Sequence, residues 1–382
     1  MGSAAPPTIA SPVRQPAFAG VRVSAEPLAV VALPLIAENP YQHLLYGELV
    51  GHGILLDQTV ELKFFSLWRS RRRRPVLHFH WPQNYYSWWR RPARLRPLLS
   101  WVKLVVFVGR LASAKWFGYR IAWTIHEVAP HEQRGRRVDQ FGSRILAAFT
   151  DVFIALDGGT ASRASEQLHI ARDRILVIPH GSYLGVYPAG RSREEVRRVL
   201  GIPDDSFALL CFGHIRAYKE IDSLLRAFAL AKMGGARLVV AGLPMDDQSC
   251  AAIVEAARKD ARIVPVLEFV PDERVAELFG ACDAAVQPRA DGGTSGALIL
   301  ALSLGLPVVT SALPDYEELI GGDEAGWTYE PRSLQSLAQA LERAAQDPAA
   351  VRRKAQRARD RAETLTWPQI AVRTATALRG AV

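Results

Sequence analysis

The stretch Asp291-Gly-Gly-Thr-Ser-Gly-Ala-Leu-Ile-Leu-Ala-Leu-Ser-Leu-Gly-Leu-Pro-Val-Val309 decides how the chain is read. A polar, glycine-rich loop gives way to an apolar helical run, and Gly305 and Pro307 end that run before a Val-Val strand. A loop that opens directly into a helix leaves backbone N–H groups unpaired at the positive end of the helix dipole. An anion, a phosphate above all, binds there without further machinery. Gly292, Gly293 and Gly296 predict that a ligand comes close to the backbone, and Thr294 or Ser295 can cap the helix or donate to a ligand oxygen. The same pattern also describes an ordinary capped, buried helix, so the surrounding chain must decide.

Apolar strand-like runs and helical runs alternate on both sides of this stretch. Before it, strands are expected at 27–33, 59–65, 76–80, 120–125, 151–156 and 174–179, with helices at 41–50, 97–116, 137–149 and 161–168. Asn39 is the expected N-cap of the first helix, with Pro40 at its first position. Residues 184–204 read as a linker with a charged helix at 193–200. The alternation then restarts, with strands at 207–212, 237–241, within 262–270, at 283–287, at 307–310 and near Trp327; from 331 onward the chain reads as helical. Such alternation predicts an α/β fold of two parallel, doubly wound halves. The expected division is 1–25 as a disordered arm rich in Ala, Pro and Ser, 26–185 and 186–365 as two Rossmann-like domains, and 366–382 as a C-terminal helix packing back on the first domain.

Neither half carries GxGxxG after its first strand, which argues against a dinucleotide oxidoreductase, and no GxxxxGK[ST] is present. Cys211, Cys250 and Cys282 lack metal or redox spacing and read as core thiols of a reducing compartment. No signal peptide is evident. The net charge of +9 is uneven: residues 1–185 hold 23 Lys and Arg against 12 Asp and Glu. That surplus predicts an anionic partner for the first half, whether a membrane surface, a phosphorylated lipid or nucleic acid. The run Tyr85-Tyr-Ser-Trp-Trp-Arg-Arg91 precedes the helix at 97–116, whose Lys103, Arg110 and Lys115 argue against a membrane span; an interfacial helix and a core helix both fit.

In doubly wound sheets, ligands bind beyond the C-terminal ends of the strands. The polar clusters fall at those ends: His78, His80 and Trp81; His126, Glu127, His131 and Glu132; His180; Gly213, Arg216 and Lys219; and the glycine loop itself. Arg216 and Lys219 are expected to neutralise a diphosphate, Arg by its planar fork and Lys as a point charge. His126 to His131 reads H-E-V-A-P-H, and Pro130 breaks the helix that an HExxH zinc site requires, so no metal site is expected. These groups read instead as acid–base and hydroxyl-binding residues.

With these residues placed, the chain resembles the GT-B glycosyltransferases of the family 4-like clan. The segment Gly213-His-Ile-Arg-Ala-Tyr-Lys219 and the run from Ser295 to Val308 carry that likeness. Asn39-Pro-Tyr41, His78-Phe-His-Trp-Pro82, His126-Glu-Val-Ala-Pro-His-Glu132 with Arg134-Gly135, and His180-Gly-Ser-Tyr183 are similar in kind and order to the xanthan-type (GumI-like) β-mannosyltransferases. The resemblance implies two facing Rossmann-like domains. The second would bind a nucleotide-diphosphate sugar, GDP-mannose being the group's donor, through Gly213, Arg216, Lys219, Thr294, Ser295, Gly296 and His180. The first would bind a lipid-linked or other glycan acceptor through Asn39, Tyr41, His78, His80, Trp81 and His131. Glu132, Glu127 and His126 are candidates for the catalytic base, and Glu132 is preferred because the GumI-like motif also has it. Many retaining relatives carry Glu-x7-Glu at the donor loop; Gly292 and Leu300 stand at those places here, which accords with an inverting transferase, and no metal is expected where Arg216 and Lys219 suffice to neutralise the diphosphate. Ala217 replaces a proline usual in relatives. The implied setting is polysaccharide biosynthesis in the cytoplasm, peripheral to the inner face of the cytoplasmic membrane. A sugar-nucleotide 2-epimerase, a catalytically inactive glycan binder and a nucleic-acid binder remain as alternatives.

Overall fold

A computed structural model describes residues 27–36, 39–88, 95–128 and 136–380. The expected N-terminal arm lies outside the described residues, as do His131 and Glu132.

The first half contains β1 (Leu28–Leu33), α1 (Pro40–Val50), β2 (Ile54–Leu56), α2 (Phe64–Ser70), β3 (Val76–Phe79), α3 (Gln83–Tyr86), α4 (Arg96–Trp116), β4 (Ile121–Ile125), α5 (Arg136–Phe149), β5 (Val152–Ala155), α6 (Gly158–Leu168) and β6 (Ile175–Val177). The second contains α7 (Arg193–Leu200), β7 (Ala208–Phe212), α8 (Ile221–Leu230), β8 (Arg237–Ala241), α9 (Asp247–Lys259), β9 (Ile263–Val266), α10 (Asp272–Ala281), β10 (Ala284–Gln287), α11 (Gly296–Ser303), β11 (Val308–Ser311), α12 (Pro314–Ile320) and β12 (Gly326–Tyr329). Helices α13 (Leu334–Gln346), α14 (Pro348–Glu363) and α15 (Trp367–Arg379) follow.

The strands form two parallel six-stranded sheets, ordered β2-β1-β3-β4-β5-β6 and β12-β11-β10-β7-β8-β9. Helices cover both faces, which is why the central strands are apolar without alternation; β3, β4 and β10 are buried at every position. Each sheet reverses its winding direction once. In the first, the chain goes from β1 to β2 on one side and then to β3 on the other; in the second, from β7 through β8 and β9, and then back to β10. A crevice opens at each reversal, past the tips of β1 and β3 and of β7 and β10. Those tips carry Asn39 to Tyr41, His78 and His80, Gly213 to Lys219, and the glycine loop.

Helix α15 lies against the first sheet, where Ile370, Ala371, Ala375 and Leu378 share a core with Tyr41, Leu45 and Leu49 of α1. Trp367, at its start, donates from Nε1 to the Ser182 carbonyl at 2.7 Å.

The expected strand at 59–65 is not formed. The chain instead makes β2 at Ile54–Leu56, just after Gly53 at φ +72°, and α2 at Phe64–Ser70. Val60 and Leu62 point into the core, which gives the segment a strand-like alternation, but they belong to no strand. Phe64, Phe65 and Trp68 are exposed on α2. Helix α4 uses only one edge against the core, through Leu104, Phe107, Leu111 and Ala114. Leu98, Trp101, Val102, Val105 and Trp116 remain exposed.

Candidate active site

On the second sheet, β10 leads through Arg289 and the glycine loop into α11. Ser295 is the N-cap, its Oγ accepting from the Leu298 N–H at 3.3 Å. A cavity of about 340 Å³ opens at this helix start, lined by Lys219, His214, Tyr218, Arg289, Ser295 and Gly296 among others. Lys219 is buried, and its Nζ donates to the Phe212 carbonyl at 3.1 Å. Gly213 makes room for it: at φ +105°, any Cβ there would sit 2.8 Å from Lys219 Nζ. Burial, with the charges of Arg289 and Arg216 nearby, lowers the Lys219 pKa to about 8. Cations held this close disfavour one another until an anion arrives. Arg289 is buried, lies 5.0 Å from the Tyr218 ring centroid, and takes the second cationic place in the cavity. Arg216 was the expected partner of Lys219, but it does not line the cavity. Arg289 was missed although it, too, follows a strand tip.

The glycine loop is fastened from behind. Thr294 lines the cavity, yet its hydroxyl donates to Asp157 Oδ2 across the cleft at 2.5 Å. Burial raises the Asp157 pKa, opposed by its bonds to Thr294 and Thr160. Arg163 of α6 donates to Asp315 Oδ2 at 2.8 Å, and the Gly293 N–H donates to the same oxygen at 3.2 Å. The space beside Gly292 is therefore filled by Asp315 and Arg163, 2.8 and 2.9 Å from where its Cβ would lie. The expectation that Gly292 admits a ligand is corrected: it admits these side chains. At Gly293 (φ +125°) the space is open, and at Gly296 the nearest atom is the Tyr183 hydroxyl at 3.4 Å. No local pattern marks Asp157, Arg163 or Asp315, because each acts across the domain boundary.

On the first sheet, Tyr41, His78, His80 and Trp81 of the expected acceptor residues gather in one cluster of rings, while His131 lies outside the described residues. Asn39 caps α1 through its Oδ1, which accepts from the Gln42 N–H at 3.4 Å. Tyr41 packs against the rings of His80, His126, His180 and Trp367. His78 and His80 both bond the Tyr46 hydroxyl at 2.8 Å. His78 also reaches Thr124, and His80 reaches His126 at 3.1 Å. Trp81 stacks on His126 with centroids 4.4 Å apart. His180 donates from Nδ1 to the Gly181 carbonyl at 2.6 Å, and its Nε2 faces the Tyr183 hydroxyl at 3.3 Å. His180 thus joins the ring cluster beside Tyr183 rather than lining the donor cavity. Burial holds His78 and His126 down to about 3 and His180 to about 4, and drives His80 well below the usual range. All four are neutral imidazoles at pH 7. Glu127 Oε1 accepts from Gln83 at 3.5 Å. Among the described residues, no group of three or more His, Cys, Asp or Glu could hold a metal ion.

The arrangement is therefore a cationic cavity at a helix N-terminus facing a neutral cluster of rings, each at its sheet's reversal point. The family described as Glycosyl transferases group 1 matches residues 192–363. The chain is 30% identical to the GDP-mannose:glycolipid 4-beta-D-mannosyltransferase of Xanthomonas campestris pv. campestris over 272 residues, which cover 71% of this chain and 69% of that one. Among solved structures, Anabaena HepE in complex with UDP-glucose superposes with a TM-score of 0.71 at 15% identity, covering 92% of this chain and all of that one (100%). Sucrose-phosphate synthase from Thermosynechococcus elongatus gives a TM-score of 0.68 at 18% identity, over 93% and 99% of the two chains. The chain belongs to the group 1 glycosyltransferases and has their two-sheet GT-B fold.

Proposed function

We propose that the protein transfers mannose from GDP-mannose to a hydroxyl of a lipid-linked glycan, with inversion and without a metal ion, in the building of an exopolysaccharide. The observation that carries the donor side is the cavity at the start of α11, where Lys219 and Arg289 meet the helix N-terminus. A diphosphate leaving group gathers negative charge as the glycosidic bond breaks, and fixed cations beside a helix N-terminus stabilise that charge. The choice of mannose and of a glycolipid acceptor rests on the activity named for the Xanthomonas relative. Gly292 and Leu300, in place of the carboxylates of many retaining relatives, support inversion. Glu132 is the proposed base, with Glu127 as the alternative.

A peripheral seat on the cytoplasmic face of the membrane accords with the acceptor. Residues 97–116 are long and apolar enough to cross a membrane, yet one edge of α4 is buried in the core. The exposed edge, with Phe64, Phe65 and Trp68 on α2 and the run Arg71 to Arg74 beside them, has the composition of a helix lying in an anionic interface.

The test offers the full chain GDP-mannose, UDP-glucose and other nucleotide sugars, with and without a prenyl-diphosphate-linked glycan and with and without EDTA. Label entering the lipid fraction from GDP-mannose, only with acceptor and equally in EDTA, is expected. Conversion of the donor without acceptor would identify a 2-epimerase instead, and donor binding without turnover a glycan binder.

A further inference from the structure

Sugar hydroxyls need hydrogen-bond acceptors, yet no Asp or Glu is found among the described residues that line the donor cavity. A carboxylate does stand directly behind one of them. Asp157, at the tip of β5 in the first domain, is the N-cap of α6. Its Oδ1 accepts from the Thr160 N–H at 2.5 Å. Its Oδ2 accepts from two hydroxyls, that of Thr160 at 2.9 Å and that of Thr294 in the donor loop at 2.5 Å. The Thr160 hydroxyl in turn accepts from Arg163 at 3.0 Å. The Arg163 guanidinium lies 3.9 Å from Asp157 and pairs with Asp315 at 2.8 Å.

These bonds fix the direction of the Thr294 hydroxyl. Three donors and a neighbouring guanidinium favour the ionised form of Asp157 against its burial. An ionised carboxylate has no proton to give, so both hydroxyls at Oδ2 donate to it. Thr294 has a single hydroxyl proton, and that proton is committed across the domain boundary. What Thr294 offers the cavity is a lone pair, strengthened because its own proton points at an anion. Ser295 is the reverse. Its Oγ accepts from the Leu298 N–H at 3.3 Å, so its proton remains for a ligand oxygen. A diphosphate oxygen only accepts, and it suits Ser295 but not Thr294. A sugar hydroxyl can donate, and it suits Thr294. The place agrees with the polarity. Thr294 is tied to the first domain, so it lies on the side of the α11 start that faces the acceptor cluster. The transferred sugar has to sit on that side to meet an acceptor hydroxyl.

We propose that Asp157, a first-domain residue, holds the Thr294 hydroxyl as an acceptor for a hydroxyl of the transferred sugar, leaving Ser295 and the helix N–H groups to the diphosphate. Asp157 is a positioning residue that acts through Thr294, and Arg163 supports its charge. The proposal rests on the glycosyl-transfer reading for its ligand. It makes the sugar a ligand of both domains, whereas the diphosphate is held by the second alone.

Calorimetry on the full chain compares GDP-mannose with GDP, and UDP-glucose with UDP, so the split between sugar and nucleotide is read whichever base is bound. Asp157→Asn keeps an N-cap residue for α6 and the side-chain shape, and removes the charge that directs the Thr294 proton. Its Kd for the nucleotide sugar should rise ~10-fold, while that for the matching free diphosphate stays within about 2-fold. Thr294→Val should do the same, and Thr294→Ser should bind as the wild type does. The double variant Asp157→Asn/Thr294→Val should bind no more weakly than Thr294→Val, because Asp157 acts only through that hydroxyl. An Asp157→Asn protein with wild-type affinity for the nucleotide sugar overturns the proposal, since Asn mimics the protonated acid. Equal weakening of sugar and free diphosphate also overturns it, by assigning Asp157 a merely structural role, as do additive losses in the double variant. A wild type that binds none of these ligands instead overturns the glycosyl-transfer reading, and the proposal with it.

Discussion

The two crevices each open where a parallel six-stranded sheet reverses its winding, although the strand orders of the two sheets differ, and burial acts on both in the same direction. In each, desolvation lowers the pKa of the basic groups, but it starts from different values. Lys219 falls from 10.5 to about 8 and stays mostly charged at neutral pH. His78 and His126 fall from 6.5 to about 3, and His180 to about 4, so they are neutral. One desolvation penalty thus yields a cationic cavity on one side and an uncharged hydrogen-bonding cluster on the other. The residue type at each strand tip, rather than the fold, decides which crevice takes a diphosphate.

The largest consequence concerns acid stability. His78, His80 and His180 are buried and neutral when folded but protonate below about pH 6.5 when unfolded. Their folded-state values are depressed, so the unfolded chain binds more protons as pH falls, and stability drops. Three such groups give a slope of about 4 kcal/mol per pH unit between roughly pH 6 and pH 4. Thermal melts should fall steeply over that window, and a flat melting temperature would show that the cluster is charged after all.

If the ring cluster cannot accept a proton, the base must be a carboxylate. Glu132→Gln should lower kcat ~1000-fold while leaving GDP-mannose affinity intact, as measured by single-turnover kinetics and calorimetry. A mild loss would return the base role to Glu127 or His126. On the cationic side, Lys219→Ala and Arg289→Ala should each lower kcat/KM ~100-fold, with Arg216→Ala clearly milder. An Arg216 effect as large as that of Arg289 would place it in the cavity. The smallest effect is on donor affinity with pH. Only protonated Lys219 attracts the diphosphate, so the Kd for GDP should weaken ~10-fold from pH 7 to pH 9, with a midpoint near the Lys219 value of about 8. A midpoint near 6.5 instead would assign donor binding to a histidine.

Much of this was legible in the sequence. Continuous apolar runs such as 28–33 and 121–125 mark strands buried on both faces, and the glycine loop marks the start of α11. The strand-tip rule located the histidines and Lys219. Reading apolar alternation as a strand failed at 59–65, where inward Val60 and Leu62 alternate without being paired. Nothing local marks Tyr46, because its hydroxyl meets His78 and His80 only once β3 is placed beside α1. Arg163 and Asp315, and likewise Asp157 and Thr294, are joined only by the closure of two domains, which no local pattern encodes.

The configuration of the product tests the account most directly. GDP-mannose carries its sugar α-linked, so direct displacement by an acceptor hydroxyl inverts the anomeric carbon. NMR of the mannosylated glycolipid made by the full chain should give the one-bond carbon–proton coupling of a β-mannoside. An α-mannoside would contradict the inverting mechanism, and the absence of any mannosylated lipid would contradict the donor and acceptor together.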